Sequence, residues 1–299
     1  MNLSIFALAY LGSQAKDTPH SGKNKILRYA HAQFVTETTD TQWMRQLGLA
    51  PQPDWPLAQL LCLAEALEAN HQTSENSLIL AQPVHLTLQR DSFGLESLIT
   101  LHTDEYLTLT QHFNQFFVEE GLTVIPSVTQ QYWILKTSAP WHLTTQPIQT
   151  AMHQNIQGFM PKGPDAQKLR QVMNQVQMLM HEHPINVQRV TDGLPEINSL
   201  WFSGNSISQL ATTQKKTTLI GNSALIRAVS HALKLPSFAH LDSAIEEGVL
   251  DALMLIQPND QIHWESIFDA VKSRKIKHLT LHLPLANGTL QVSLNPFDC

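Results

Sequence analysis

Apolar and polar positions alternate along the first half of the chain in a way that predicts short strands and helices. Asp54 followed by Pro56 indicates a helix start, because Asp is a good N-cap and Pro suits the first turn. The predicted elements of this half are a strand at 3–10, a polar loop at 12–41 with a short helix at 26–31, helices at 43–49, 56–69 and 105–120, one or two strands at 77–88 broken near Pro83, and strands at 122–126 and 131–137.

The clearest periodic pattern lies at residues 165–183, where apolar side chains recur at helical spacing. They form one stripe that predicts an amphipathic helix packed on a core. Pro184 ends this helix, and a second short helix is predicted at 185–191. The segment 138–164 carries Pro140, Pro147, Pro161 and Pro164, which is typical of a connector over a surface.

Strands and helices alternate in the last third of the chain. The predicted elements are strands at 197–202, 217–220, 252–256, 276–283 and 289–294, and helices at 223–233 and 263–273. This alternation predicts an α/β sheet that is at least partly parallel.

Composition narrows the classes of function. The chain has 299 residues, 15% of them charged, with a formal net charge of −6 and only 12 glycines. No basic face is available for a phosphate backbone, so we expect no nucleic-acid partner, and no Gly-rich nucleotide loop of the common types is present. Since no apolar run reaches about 18 residues, and the first one is short for a signal peptide, we expect a cytoplasmic protein without membrane contact.

Two turns and one histidine cluster invite a functional interpretation. The turn at Ser203-Gly204 follows a predicted strand, where α/β folds place ligands, and Gly221-Asn222-Ser223 precedes a helix whose N-terminus suits an anion. An ordinary strand-exit turn is the alternative for both. His181 and His183 point apart on a helix, so a shared metal is disfavoured and a structural role for His183 is favoured.

Several motifs in the middle of the chain resemble those of a known group of proteins. They are Asp54-Trp55-Pro56, Pro83-Val84-His85-Leu86, the run 161–181, His183-Pro184-Ile185-Asn186 with Arg189, and the run 197–202. On these residues the chain resembles an uncharacterised bacterial family of RpfE-type regulatory, or phosphoglycerate-mutase-like, proteins. More remotely it is similar to archaeal-type cofactor-independent phosphoglycerate mutases of the alkaline phosphatase superfamily. The resemblance covers residues 47–202 well and the remainder weakly.

This resemblance implies an architecture as well as a chemistry. The implied fold is α/β, with an alkaline-phosphatase-like, mostly parallel sheet core and an inserted α+β domain. On that basis, residues 1–75 and 195–299 would form the core and residues 76–194 the insertion. The mutase family uses two metal ions and a serine that is transiently phosphorylated.

The chain departs from the mutase pattern at the positions that carry this chemistry. Residues 9–13 lack the Asp of the family's metal-binding turn, residues 54–58 contain no Ser or Thr as nucleophile, and residues 93–101 contain no Arg for the substrate phosphate. Asp260 and His263 are the remaining metal candidates. We therefore expect a catalytically degenerate protein that binds or regulates, without a cofactor. The alternative is a metal-dependent phosphomutase or phosphotransferase with a rearranged site, which would need Mn, Mg or Zn.

The candidate ligand-binding residues follow the same motifs. A surviving pocket is placed around His183, Asn186, Arg189 and Asn198, where Arg189 would pair with a small anionic molecule. The alternative is that the two asparagines fix loop backbone and that Arg189 pairs with a carboxylate. His85 and Gly204 complete the candidates, a protein partner is a second class of ligand, and a structural role in its strand is the alternative for His85.

Overall fold

The computed structural model describes residues 1–7, 22–49, 54–69, 77–88, 92–181, 183–205, 217–256, 262–285 and 288–298. The helices are α1 (Gly22–Tyr29), α2 (Thr39–Gln46), α3 (Leu57–Ala69), α4 (Thr103–Phe116), α5 (Ile148–Ala151), α6 (Ala166–Met180), α7 (Pro184–Thr191), α8 (Ala224–Leu233), α9 (Leu241–Glu246) and α10 (Trp264–Lys272). The strands are β1 (Asn2–Ala7), β2 (His31–Val35), β3 (Leu78–Leu88), β4 (Phe93–Leu98), β5 (Leu122–Pro126), β6 (Trp133–Thr137), β7 (Ser199–Ser203), β8 (Thr218–Ile220), β9 (Ser237–Phe238), β10 (Asp251–Ile256), β11 (His278–Leu285) and β12 (Gly288–Leu294).

The chain divides into two compact units. The first unit is Met1–Pro51 with Leu210–Cys299, and the second unit is Gln52–Gln209. None of the described helices is both long and apolar enough to cross a bilayer.

The first unit contains a mixed, mostly parallel sheet in the order β2-β12-β11-β1-β10-β8-β9. From β11 to β9 neighbouring strands run parallel, whereas β12 pairs antiparallel with both β11 and the edge strand β2. Leu3 and Ile5 of the central β1 are buried in a core with Leu279 and Leu281 of β11 and Val271 of α10. The predicted α/β sheet is confirmed.

The second unit is built on an antiparallel sheet with β3 at its centre. β3 pairs with β6, β4 and β7, and β6 also pairs with β5. The apolar stripe of α6 and one face of α4 pack on this sheet around Trp133 and Leu200. The stripe predicted from helical spacing therefore lies in the core, although the helix ends at Met180 and His183 begins the next helix.

Pro83 does not break β3, contrary to the predicted interruption. Along β3 the partner changes from β6, whose pairing ends at Ala81, to β4, whose pairing begins at Val84. The Pro83 carbonyl accepts from the Ile99 N–H at 2.8 Å. Because N and C=O of one residue face the same side of an antiparallel strand, Pro83 N faces the gap between the end of the β6 pairing and the start of the β4 pairing. No ladder hydrogen bond needs the missing N–H there, and the strand continues.

Several elements differ from the sequence expectation. The polar loop predicted at 12–41 contains β2, which pairs with β12, and β4 was not predicted. The strand predicted at 197–202 forms as β7, but it pairs antiparallel with β3 in the second unit and does not join the parallel sheet. A short apolar strand has the same pattern in either sheet, because hydrophobicity does not specify its partner. The compact units thus place β7 and α3 with residues 76–194, and the inserted domain itself stays a prediction.

Candidate functional site

Three neighbouring parallel strands of the first unit, β10, β8 and β9, border one cavity of about 430 Å³. The cavity lies where β8 and β9 end, and the starts of α8, α9 and α10 complete its lining. This is the edge at which open α/β sheets bind ligands, and the volume is that of a small-molecule pocket. We call this cavity the crevice.

The turn from β8 into α8 forms one wall of the crevice. Gly221 has a φ of +142°, which L side chains rarely adopt, and its N–H donates to the Phe238 carbonyl at 2.9 Å. The Ser223 hydroxyl accepts from the Ile226 N–H at 3.3 Å and caps α8. Arg227 donates to the Asn222 carbonyl at 2.7 Å. The turn is thus fixed by its own hydrogen bonds, and Asn222 and Ser223 line the crevice.

Two histidines are also among the residues that line the crevice. His240 precedes α9 and His263 precedes α10, and neither side chain caps its helix. Protonated imidazoles and helix N-termini attract anions, whereas the Asp242 carboxylate in the same lining opposes them. The structure thus brings His263 and the Gly221-Asn222-Ser223 turn, which are 40 residues apart in sequence, to one cavity. Chemically, the crevice can hold a small anion between the start of α8 and the imidazoles.

The described residues do not fit the two metal ions that the mutase resemblance implies. Each ion would need several imidazoles or carboxylates at about 2.0–2.2 Å. Within the described ranges, no group of three or more His, Cys, Asp or Glu side chains could hold a metal ion. Asp260 and residues 9–13 lie outside the described residues. The expectation about cofactors therefore stays a prediction.

The second unit brings together Asn186, Arg189 and His183 on α7, but their polar atoms contact protein groups. The Asn186 amide donates to the carbonyls of Met180 (3.0 Å) and Ile197 (2.8 Å) and accepts from the Ile197 N–H. Arg189 is 3% exposed; it donates to both carboxylate oxygens of Glu105 at 2.9 Å and to the Pro195 carbonyl. These contacts are those of the structural alternative.

Asn198 and His85 join the segment before β7 to β3. The Asn198 amide accepts from the Leu86 N–H and donates to the Leu86 carbonyl, both at 2.7 Å. The side chain thus extends the β3–β7 ladder by one step beyond the pair Val84–Ser199. His85 Nδ1 lies 2.9 Å from the Glu196 carbonyl. Ligand binding by either residue stays a prediction.

Gly204 contacts a buried carboxyl group. Its N–H donates to Asp54 Oδ2 at 2.6 Å, the Thr145 hydroxyl donates to the same oxygen, and the Trp55 N–H donates to Oδ1 at 2.9 Å. Asp54 is 8% exposed, and burial raises its pKa to about 6 although these hydrogen bonds act to lower it. At Gly204 φ is +66°, and a Cβ there would lie 3.0 Å from Ala58 N, so the position requires glycine.

Sequence reasoning missed several partners of these residues. Glu105 accepts from the His102 N–H at 2.8 Å, and the N-cap of α4 is His102, two residues before the predicted Asp104 cap. The spacing from His102 to Glu105 is that of a capping box and was a usable local signal. Thr145 and His112 had no such signal, because their partners, Asp54 and His183, are distant in sequence.

Comparison with known proteins finds remote similarity both in sequence and in structure. No protein-family model matches the chain. The chain is 28% identical over 124 residues, or 41% of its length, to a probable 2,3-bisphosphoglycerate-independent phosphoglycerate mutase of Geobacter sulfurreducens. That match spans 31% of the relative, which is less than a third of it. The chain is remotely similar to cofactor-independent phosphoglycerate mutases.

The structural matches cover nearly the whole chain at low similarity. The cofactor-independent phosphoglycerate mutase of Thermoplasma acidophilum is 14% identical, with 98% of this chain and 89% of that chain covered and a TM-score of 0.39. The PH0037 protein of Pyrococcus horikoshii is also 14% identical, with 98% and 87% covered and a TM-score of 0.40.

Proposed function

We propose that this mutase-like protein has lost phosphoryl transfer and acts as a binding or regulatory protein that holds a small anionic ligand in the crevice. The observation that carries the proposal is the meeting of the α8 start with His240 and His263 in one cavity at the end of parallel strands. The resemblance to RpfE-type regulatory proteins supports the regulatory part. A carboxylated phosphate ester, of the size that mutases handle, is the ligand class we favour.

The environment of Asp54 supports the loss of chemistry. Asp54 stands in the segment where the resemblance implies the mutase nucleophile. Its carboxyl group is buried, and both oxygens accept hydrogen bonds from Trp55, Thr145 and Gly204. A nucleophile must instead reach substrate and have a base nearby. We therefore assign Asp54 a structural role that ties the start of α3 to the end of β7.

A charge-reversal pair tests the binding proposal. Ser223→Asp keeps an N-cap acceptor for α8 but adds a negative charge to the crevice. Thr38→Asp is the control, because it adds the same charge at the N-cap of α2, away from the residues that line the crevice. With 3-phosphoglycerate as probe and no metal present, calorimetry should give a Kd on the order of 0.1–1 mM for wild type. S223D should weaken binding about tenfold or more, and T38D should leave it unchanged. Equal affinity in all three proteins would contradict the proposal.

The sequence relative supports a second candidate, a metal-dependent phosphomutase or phosphotransferase with a rearranged site. Metal content after mild purification separates the two, because two stoichiometric Mn or Zn ions per chain would favour the enzyme. Turnover of 3-phosphoglycerate or a generic phosphate ester with added Mn is the direct assay. We expect substoichiometric metal and no turnover above the rate without protein.

A further inference from the structure

Two histidines of the second unit contact each other between α4 and α7. His112 Nδ1 lies 2.8 Å from His183 Nε2, and the rings are tilted by 59°. His183 is 7% exposed, and it is the N-cap residue of α7. Its other ring nitrogen, Nδ1, accepts from the Ile185 N–H at 3.2 Å. The pair therefore links two helices and caps one of them with the same ring.

These contacts fix where the protons are. Because His183 Nδ1 accepts from a backbone N–H, it carries no proton, so the proton of the neutral ring is on Nε2. That Nε2–H must donate to His112 Nδ1, which is then unprotonated, and the proton of His112 is on its own Nε2. Both hydrogen bonds are satisfied only when both rings are neutral in this tautomer.

One added proton cannot be accommodated without losing a contact. A proton on His183 Nδ1 would face the Ile185 N–H, so the cap of α7 would be lost. A proton on His112 Nδ1 would face the His183 Nε2–H at 2.8 Å, so the link between the helices would be lost unless His183 shifts its own proton to Nδ1. That shift again removes the cap. Every singly protonated arrangement therefore breaks one of the two hydrogen bonds.

We propose that His112 and His183 form a pH-sensitive latch on the start of α7, closed when both rings are neutral and both hydrogen bonds form, and open, with the cap of α7 lost, when the pair takes up one proton. Burial lowers the pKa of His183, and the neighbouring His112 lowers it further, so the latch is closed at neutral pH. The other charged groups on these helices are Asp104 in the first turn of α4 and the pair formed by Glu105 and Arg189, and His181 lies exposed after the end of α6. Glu182 lies outside the described residues.

The consequence of opening is confined to the first turn of α7. Arg189, through Glu105 and Pro195, still holds the last turn, and Asn186 still holds Met180 and Ile197. The arrangements that keep a charge-assisted N–H···N bond between the two rings are those that lose the cap, and they are favoured over two N–H groups facing each other. Mild acid would thus release Pro184 and Ile185 from the cap while the rest of the helix stays attached. Such a local opening is a means by which acidification could change the surface near α7 without unfolding the unit.

The ring signals of the intact wild-type chain test the latch. With histidine labelled by ¹⁵N and ¹³C, NMR at pH 8 should show both His112 and His183 protonated at Nε2. Between pH 8 and 5.5 the exchange protection factor of the Ile185 amide should fall about tenfold or more. A His183 ring with its proton on Nδ1, or an Ile185 protection factor that stays constant across this range, would overturn the proposal.

Two variants test whether the pH dependence of the Ile185 protection factor comes from the His183 ring. His183→Asn keeps a side-chain acceptor for the α7 cap but removes the titrating ring, so the Ile185 protection factor should become independent of pH. His181→Gln removes an exposed neighbouring histidine, and the wild-type pH dependence should persist. Retained pH dependence in H183N, or its loss in H181Q, would contradict the latch. If H183N does not fold, the wild-type ring signals and H181Q still decide.

Discussion

The crevice of the first unit and the α7 region of the second unit differ in how their polar side chains are used. Around α7, the polar atoms of Asn186, Arg189 and Asn198 bind backbone or a carboxylate of the protein itself. In the crevice, His240 and His263 make no such cap contact within the described residues. Polar side chains thus serve the fold in the α7 region, whereas the two histidines of the crevice are exposed. What distinguishes a candidate site is unused hydrogen-bonding capacity, which residue identity alone does not reveal.

The largest expected effect separates a buried ion pair from an exposed one. Arg189→Ala leaves Glu105 without its guanidinium partner, and loss of one member of a buried pair costs about 3–5 kcal/mol of unfolding free energy. In the first unit, Arg45 pairs with Glu37, and the Arg45 side chain is 57% exposed. Arg45→Ala should therefore lower the free energy of unfolding by about 1 kcal/mol or less. Urea unfolding measures both. Equal losses of unfolding free energy in the two variants would show that burial does not distinguish the Arg189–Glu105 pair from the Arg45–Glu37 pair.

The next effect is a dependence of folding stability on pH, which has opposite signs for one buried group in each unit. The folded-state pKa of Asp54 is raised to about 6 from an ordinary 3.8, so folding favours the protonated form. The stabilisation of the folded state by the protonated Asp54 carboxyl group is full below pH 3.8 and is lost as pH rises through about 6. Relative to Asp54→Asn, wild type should therefore gain about 3 kcal/mol of unfolding free energy as pH falls from 7 to 3.

His282 in the first unit should behave in the opposite way. Its ring is stacked on Phe6, its Nδ1 lies 2.7 Å from Gln42 Oε1, and burial lowers its pKa to about 4. The neutral form is favoured, so wild type should lose stability relative to His282→Gln as pH falls from 6.5 to 4. Urea unfolding of wild type, D54N and H282Q at a series of pH values measures how the difference in unfolding free energy between wild type and each variant changes with pH. Slopes of the same sign would refute the opposite directions assigned to the Asp54 and His282 pKa shifts.

A smaller effect tests the contact between Gly204 and α3. Gly204→Ala adds a Cβ about 3.0 Å from Ala58 N at a φ of +66°, so we expect a loss of roughly 2–3 kcal/mol. Gly193→Ala is the matched control, because its φ of +71° carries the same backbone strain but no atom lies within 4 Å. That variant should lose about 1 kcal/mol. If both lose the same amount, close packing at Gly204 contributes nothing.

Local signals in the sequence predicted much of the fold. The stripe from Leu169 to Met180 predicted which face of α6 is buried, since helical periodicity follows from one-sided burial. The alternation of strands and helices after residue 217 predicted the parallel sheet. Pro83 misled the prediction, because its effect depends on which strand lies beside it, and that is decided by tertiary pairing.

The candidate site was only partly predictable. The Gly221-Asn222-Ser223 turn and His263 carried local signals, a helix start in each case, but nothing in the sequence said that they line one cavity. The α7 residues carried equally strong signals, yet the pairing of Arg189 with Glu105 joins positions 84 residues apart. Which polar groups the fold consumes is decided by such distant contacts, so the structure was needed to separate the two regions.

An NMR titration of the ¹⁵N-labelled chain with 3-phosphoglycerate in metal-free buffer shows directly which of the two regions binds an anion. We expect the largest amide shift changes at residues 221–223 and at His240 and His263, with none above background at Asn186, Arg189 or Asn198. Largest changes at those three α7-region residues, or no changes anywhere, would contradict the assignment of the binding site to the crevice.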